Sequence, residues 1–126
     1  MVGVVIVSHS CKLAQGVVEL AQMMAHDAPV AAAGGLEDGS LGTSYEKISA
    51  AVESVYSADG VLVLMDMGSA VMTTEMVLED LARDNVVMID CPVVEGAILA
   101  AVEACNGRTL PEISEQLQTV RDEKKF

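Results

Sequence analysis

Two polar side chains stand out in a chain otherwise dominated by Val, Ala, Leu and Met. His9 lies in Val7-Ser8-His9-Ser10, where an apolar run gives way to polar residues, and Asp66 lies in Asp66-Met-Gly-Ser-Ala70, at the end of another. An imidazole that donates from one ring nitrogen to a carboxylate keeps a lone pair on the other, and that nitrogen is a nucleophile. Should the fold bring Asp66 beside His9, the pair is equipped to accept a phosphoryl group. Gly68 and Ser69 suit the same chemistry, because glycine lets backbone N–H groups approach an anion closely and a hydroxyl adds a donor. Ser10 opens a helix directly after the histidine, where unsatisfied N–H groups and the positive helix end favour an anion. Each residue also has an ordinary reading. A strand-end histidine packs or caps, Asp66 enters a helix, Gly68 makes a turn and Ser69 is an N-cap. Capping and anion binding draw on the same donors, so the two readings coexist.

The elements that position these residues follow from periodicity. Val2 to Val7 and Gly60 to Met65 are short β-branched or aliphatic runs without polar alternation, as in strands buried on both faces. Pro29 to Gly35 and Asn85 to Asp90 read as two further strands. Between them, Leu13, Val17, Leu20 and Met24, then Ile48, Ala51, Val52 and Val55, then Thr74, Val77, Leu78 and Leu81, recur at helical spacing. Thr43-Ser-Tyr-Glu46 and Thr109-Leu-Pro-Glu112 are capping-box patterns. A helix over about Val94 to Cys105 and a last one with Leu110, Ile113, Leu117 and Val120 facing inward complete the chain. The order βαβαβαβαα predicts one α/β domain over residues 1–126. Its open, mainly parallel four-stranded sheet has the order 2-1-3-4 and helices on both faces. The topological switch then falls between strands 1 and 3, and ligands of such sheets bind at the carboxyl ends beside it. His9 and Asp66 follow those two strands.

Composition narrows the function. The 126 residues are 52% hydrophobic and only 2% aromatic, so the core is built from aliphatic side chains, with eight methionines available to fill gaps. Acidic residues outnumber basic ones 19 to 7, a formal net charge of −12. That charge disfavours nucleic acid and anionic lipid and favours partners with basic faces. Lys124-Lys125 reads as a solvated tail. Cys11, Cys91 and Cys105 are odd in number and never spaced C-x-x-C, which speaks against a disulfide framework or a structural zinc and for buried free thiols. No signal segment or membrane span is legible, so a cytoplasmic location is expected. Gly34 to Gly42 is glycine-rich but matches neither a Walker loop nor G-x-G-x-x-G, and no metal site or nucleotide motif is evident. Thr43 and Glu95 fall where they can border the rim of the site. His26 ends the first helix and reads as structural.

Four segments in order, Val5-Ile-Val-Ser-His9-Ser10, Gly34-Gly-Leu-Glu-Asp-Gly-Ser-Leu-Gly-Thr-Ser44, Asp66-Met-Gly-Ser-Ala70 and Pro92-Val-Val-Glu-Gly-Ala97, resemble the phosphotransfer subunits of phosphoenolpyruvate-dependent dihydroxyacetone kinases. Those subunits are related to the enzyme IIA domains of mannose-type sugar phosphotransferase systems. The resemblance implies that His9 takes a phosphoryl group from the phosphorylated histidine phosphocarrier protein. It passes the group to ADP held on the kinase's nucleotide-binding subunit, with no cofactor of its own. It implies further that Asp66 orients the imidazole and that the domain is a homodimer. Met67 stands where the family pattern has leucine, a near-isosteric change. Some relatives carry extra phosphocarrier domains; this chain shows none, so separate donors are expected. A sugar-transport IIA domain, a non-catalytic binding module with His9 as a cap, and a hydrolase using Ser69 are the competing readings.

Overall fold

The computed structural model describes residues 1–126. Four strands, β1 (Gly3–Ser8), β2 (Val30–Gly34), β3 (Val61–Met65) and β4 (Val86–Met88), form one sheet in the order β2-β1-β3-β4, parallel throughout. Five helices connect and follow them: α1 (Cys11–Met24), α2 (Tyr45–Val55), α3 (Ser69–Leu81), α4 (Val93–Cys105) and α5 (Leu110–Val120). Successive side chains of a strand point to opposite faces, and here both faces are dry. Val4, Ile6, Leu62 and Leu64 meet the buried sides of α1, α4 and α5. Val5, Val7, Val61, Val63 and Met65 meet α2 and α3 through Ile48, Ala51, Val52, Ala70 and Val77. That two-sided burial is why β1 and β3 read as unbroken apolar runs.

The structure departs from the sequence reading at several points. On α1 the buried residues are Ala14, Val17 and Ala21, while Leu13, Leu20 and Met24 are exposed. The stripe chosen by side-chain size was therefore rotated away from the true inner face. α1 packs against α4, which buries Ala97, Ala100, Ala101 and Ala104, and small residues on both sides let the two helices approach closely. The same close packing leaves little for methionine to fill: Met1, Met23, Met24, Met67, Met72 and Met76 are exposed. Of the free cysteines only Cys91 is buried, and burial, reinforced by Asp90, pushes its thiol up to about 11. β4 is shorter than predicted. α2 is capped by Ser44, whose hydroxyl accepts from Lys47 N–H, and not by Thr43. The second capping box, Thr109 with Glu112, is present as read.

Register places the site. Val7 is the partner of Met65 across β1 and β3, and Ser8 the partner of Gly34 across β1 and β2. The chain segments leaving these three strands therefore emerge side by side at the carboxyl edge. Gly34 is required there by close approach, since a Cβ would lie 2.5 Å from the Ser10 carbonyl oxygen and 2.7 Å from the Ala14 Cβ.

Candidate functional site at the carboxyl edge of the sheet

β3 ends one residue before Asp66, and the Asp66 N–H still donates to the Val7 carbonyl at 3.2 Å, so its side chain turns toward the end of β1. Its carboxylate is fully engaged. Oδ2 accepts from the Ser8 hydroxyl and from the His9 N–H, both at 2.9 Å. Oδ1 lies 2.9 Å from His9 Nδ1 and accepts from the Met67 N–H at 2.7 Å. Burial by itself raises the Asp66 pKa, but the donors from His9, Met67 and Ser8 together outweigh it and hold the carboxyl below its usual range. An ionised carboxylate only accepts, so Nδ1 carries a proton, and in the neutral ring Nε2 then carries the lone pair. Both side chains are about a quarter exposed.

Nε2 lies 2.7 Å from the Ser69 hydroxyl, which in this tautomer is the donor. Ser69 is the first residue of α3 and not its cap. The cap position is Gly68, held at φ 47°, ψ −110°, and no side chain closes the helix end. Gly68 is needed for that backbone, which a residue with a Cβ adopts only under strain. Thr43 reaches the same place from the other side: its hydroxyl is 3.2 Å from that of Thr73 and 3.5 Å from that of Ser69. The glycine-rich loop delivers it, pinned by Gly35 N–H to the Ser8 carbonyl and by Gly42 N–H to the His9 carbonyl.

Of the residues singled out in sequence, His9, Asp66, Ser69 and Thr43 are thus brought together, with Gly68 at the head of α3. Ser10 adjoins them but is committed elsewhere. Its hydroxyl caps α1 through Leu13 N–H, and its own N–H donates to Ser8. Glu95 does not join the group; it pairs with Lys125 at 2.7 Å beside the C-terminal segment. Two contributors were missed. Ser8 is buried and buttresses Asp66, and Thr73 backs Thr43. A lone serine closing an all-apolar strand was the available signal for the first. Thr73 had none, because its role depends on a loop thirty residues earlier in the chain.

A parallel sheet of this order carrying an aspartate-locked histidine at its switch point defines a class of phosphotransfer domain, and comparison with known proteins agrees. The model of the mannose-type IIA family, described as the PTS system fructose IIA component, matches residues 3–114, and the chain belongs to that family. Within it, the similarity runs to the phosphoryl donor subunits of dihydroxyacetone kinases. The chain is 37% identical to the phosphotransferase subunit of the PTS-dependent dihydroxyacetone kinase of Lactococcus lactis, over 97% of its own length and 98% of that protein. It is 36% identical to a phosphoryl donor subunit of the PEP-dependent dihydroxyacetone kinase of Listeria innocua, covering 94% of each. The corresponding Escherichia coli subunit is 42% identical over 90% of this chain, which spans 25% of that longer protein. Among solved structures, a protein of unknown function superposes with a TM-score of 0.86 at 26% identity, covering 100% of this chain and 99% of that one.

Proposed function

We propose that this protein is a histidine phosphocarrier, and that His9 Nε2 is the atom that carries the phosphoryl group. The observation behind this reading is the Asp66–His9 pair, which leaves one ring nitrogen basic and turns it toward the rim. The donor is the phosphorylated histidine phosphocarrier protein, and the acceptor is ADP on the nucleotide-binding subunit of a dihydroxyacetone kinase. The Lactococcus, Listeria and Escherichia relatives are named as phosphotransferase or phosphoryl donor subunits of dihydroxyacetone kinases, which supports a kinase as the destination. The chain needs no cofactor of its own, since the nucleotide is held by the partner, and it acts in the cytoplasm. No helix is long and apolar enough to cross a membrane. The exposed row of Leu13, Leu20, Met23 and Met24 on α1 supports a homodimer.

The chemistry follows from the contacts. The Nε2 lone pair attacks phosphorus as the donor's P–N bond breaks, and that bonding pair returns to the donor's ring nitrogen. The His9 ring gains positive charge, which the Asp66 carboxylate balances through Nδ1–H without moving the proton. The Ser69 hydroxyl, released from Nε2, then donates to the phosphoryl oxygens, and the positive end of α3 favours their charge. In the onward step a terminal phosphate oxygen of ADP attacks phosphorus, the N–P bond breaks and its pair returns to Nε2. Positioning and charge stabilisation are what phosphoryl transfer asks of a protein.

The test separates this reading from a sugar-transport IIA role, which shares the chemistry but passes the group to a histidine or cysteine of a transport protein. Phosphorylated protein is mixed with ADP-loaded nucleotide-binding subunit, and ATP is measured. Stoichiometric ATP with loss of the phosphohistidine is the expected result. Stable phosphohistidine in the presence of that subunit overturns the assignment of the acceptor.

A further inference from the structure

The hydroxyls of Thr73, Thr43 and Ser69 run in a line that ends on His9 Nε2, and the direction of the whole line is set at its far end. Asp66 as a carboxylate can only accept, so Nδ1 donates to it and Nε2 is left as an acceptor. Ser69 must then donate to Nε2, which frees its oxygen lone pairs to accept from Thr43, and Thr43 in turn accepts from Thr73. Thr43 donates to Ser69 over a long contact of 3.5 Å, and while it does so its 3.2 Å contact with Thr73 has to use the Thr73 proton. Thr43 is half-buried between the loop after β2 and the first turns of α3, and it stands there by construction: the loop is tied to the backbone of His9 through Gly42. Ser69 itself is exposed and, as the first residue of its helix, is held by nothing on its outer side.

We propose that Thr43 is a positioning residue for phosphoryl transfer. Its hydroxyl keeps Ser69 aimed at Nε2 before transfer and donor-first toward the phosphoryl oxygens once Nε2 has given up its lone pair. This rests on the reading of His9 as the phosphoryl carrier. The step conserves atoms and electrons as written above: one P–N bond breaks in the donor, one forms at Nε2, and no proton leaves Nδ1, Ser69 or Thr43. The glycine-rich loop thereby acquires a function, which is to bring one hydroxyl across from β2 to the helix after β3.

The experiment compares wild type, Thr43→Val and Thr43→Ser, each phosphorylated by the phosphoenolpyruvate-driven general phosphotransfer proteins and followed by rapid quench. Valine keeps the shape of threonine and removes the hydroxyl; serine restores it. Loss of one hydrogen bond made mainly on the way to transfer predicts a fall of about 3- to 10-fold in the maximal rate for Thr43→Val. The donor concentration for half-maximal rate should be unchanged, the thermal midpoint should match wild type, and Thr43→Ser should recover. A Thr73→Val variant gives the smaller effect of a group one step further away. Wild-type rates in Thr43→Val, or equal slowing in Thr43→Ser, overturn the proposal while leaving His9 as carrier. Absence of any phosphate on wild-type protein overturns both readings together.

Discussion

Asp66 is the residue on which the site turns, because one carboxylate collects four donors and so decides which nitrogen of His9 keeps the lone pair in the neutral ring. Replacing it tests that directly. Asp66→Asn keeps size and fold, but its amide can present a donor to Nδ1 and allow the wrong tautomer. Transfer should slow by about a hundredfold or more. The ionised carboxyl also contributes to stability, with a sign that can be checked. Its folded pKa is lowered, so the contribution is complete above the unfolded value of about 4 and is lost as pH falls through the folded one. Thermal unfolding of wild type and Asp66→Asn should therefore differ most near neutral pH and converge on acidification. A difference that is constant with pH would mean that the carboxylate's charge is not what is being stabilised. At this scale the sequence was readable for His9 and Asp66, the titratable groups that directly follow two apolar strands. Ser8 offered only its place at the end of an apolar strand, and Thr73 offered nothing, since its partner Thr43 sits on a loop thirty residues earlier.

At the scale of elements, the βα alternation and buried-strand runs made the sheet order and the site edge legible before any coordinates. What failed was the choice of face on α1, while those of α2, α3 and α5 were as expected. Leu13, Leu20 and Met24 outrank Ala14 and Ala21 in hydrophobicity, yet the alanines face the core because α1 and α4 pack too closely for larger side chains. The glycine-rich loop was visible but silent, since nothing local says that it carries Thr43 to α3. Its first glycine is open to test. Gly34→Ala puts a Cβ against the Ser10 carbonyl oxygen and the Ala14 side chain, and should destabilise the protein by about 1–3 kcal/mol in urea unfolding. Gly16→Ala is the control. That glycine lies inside α1 with nothing near its would-be Cβ, so the substitution should stabilise by roughly 0.5–1 kcal/mol. Equal effects of the two would refute the close-approach argument.

Across the whole molecule, the few basic side chains behind the net charge of −12 are not spread evenly over the fold. Lys12 and Lys47 lie in the first turns of α1 and α2, and Arg121, Lys124 and Lys125 follow α5 beside Pro92. All five are at the carboxyl edge, whereas Arg83 follows α3 and Arg108 follows α4 at the opposite end. The carboxyl edge thus carries five of the seven basic side chains of an acidic protein. Such a placement lowers the repulsion met by an incoming phosphoryl group. Neutralising Lys12 or Lys124 to glutamine should slow association with the phosphorylated donor at low salt. The effect should fade as screening shortens the field to about 8 Å near physiological ionic strength. Stopped-flow transfer across a salt series measures it, with neutralised Asp84 as a distant control. A salt-independent rate, or equal slowing by Asp84→Asn, would remove steering from the account.

The central claim is that one atom, His9 Nε2, carries the phosphoryl group. Phosphoenolpyruvate, the general phosphotransfer proteins and this protein are incubated together, the product is mapped by peptide mass at neutral to alkaline pH, and the ring is assigned by ¹⁵N-resolved NMR. The account predicts one acid-labile, alkali-stable phosphoryl group, on His9 and bonded to Nε2, with Nδ1 still protonated toward Asp66. Phosphate on Ser69 or His26, or on Nδ1 of His9, would contradict it.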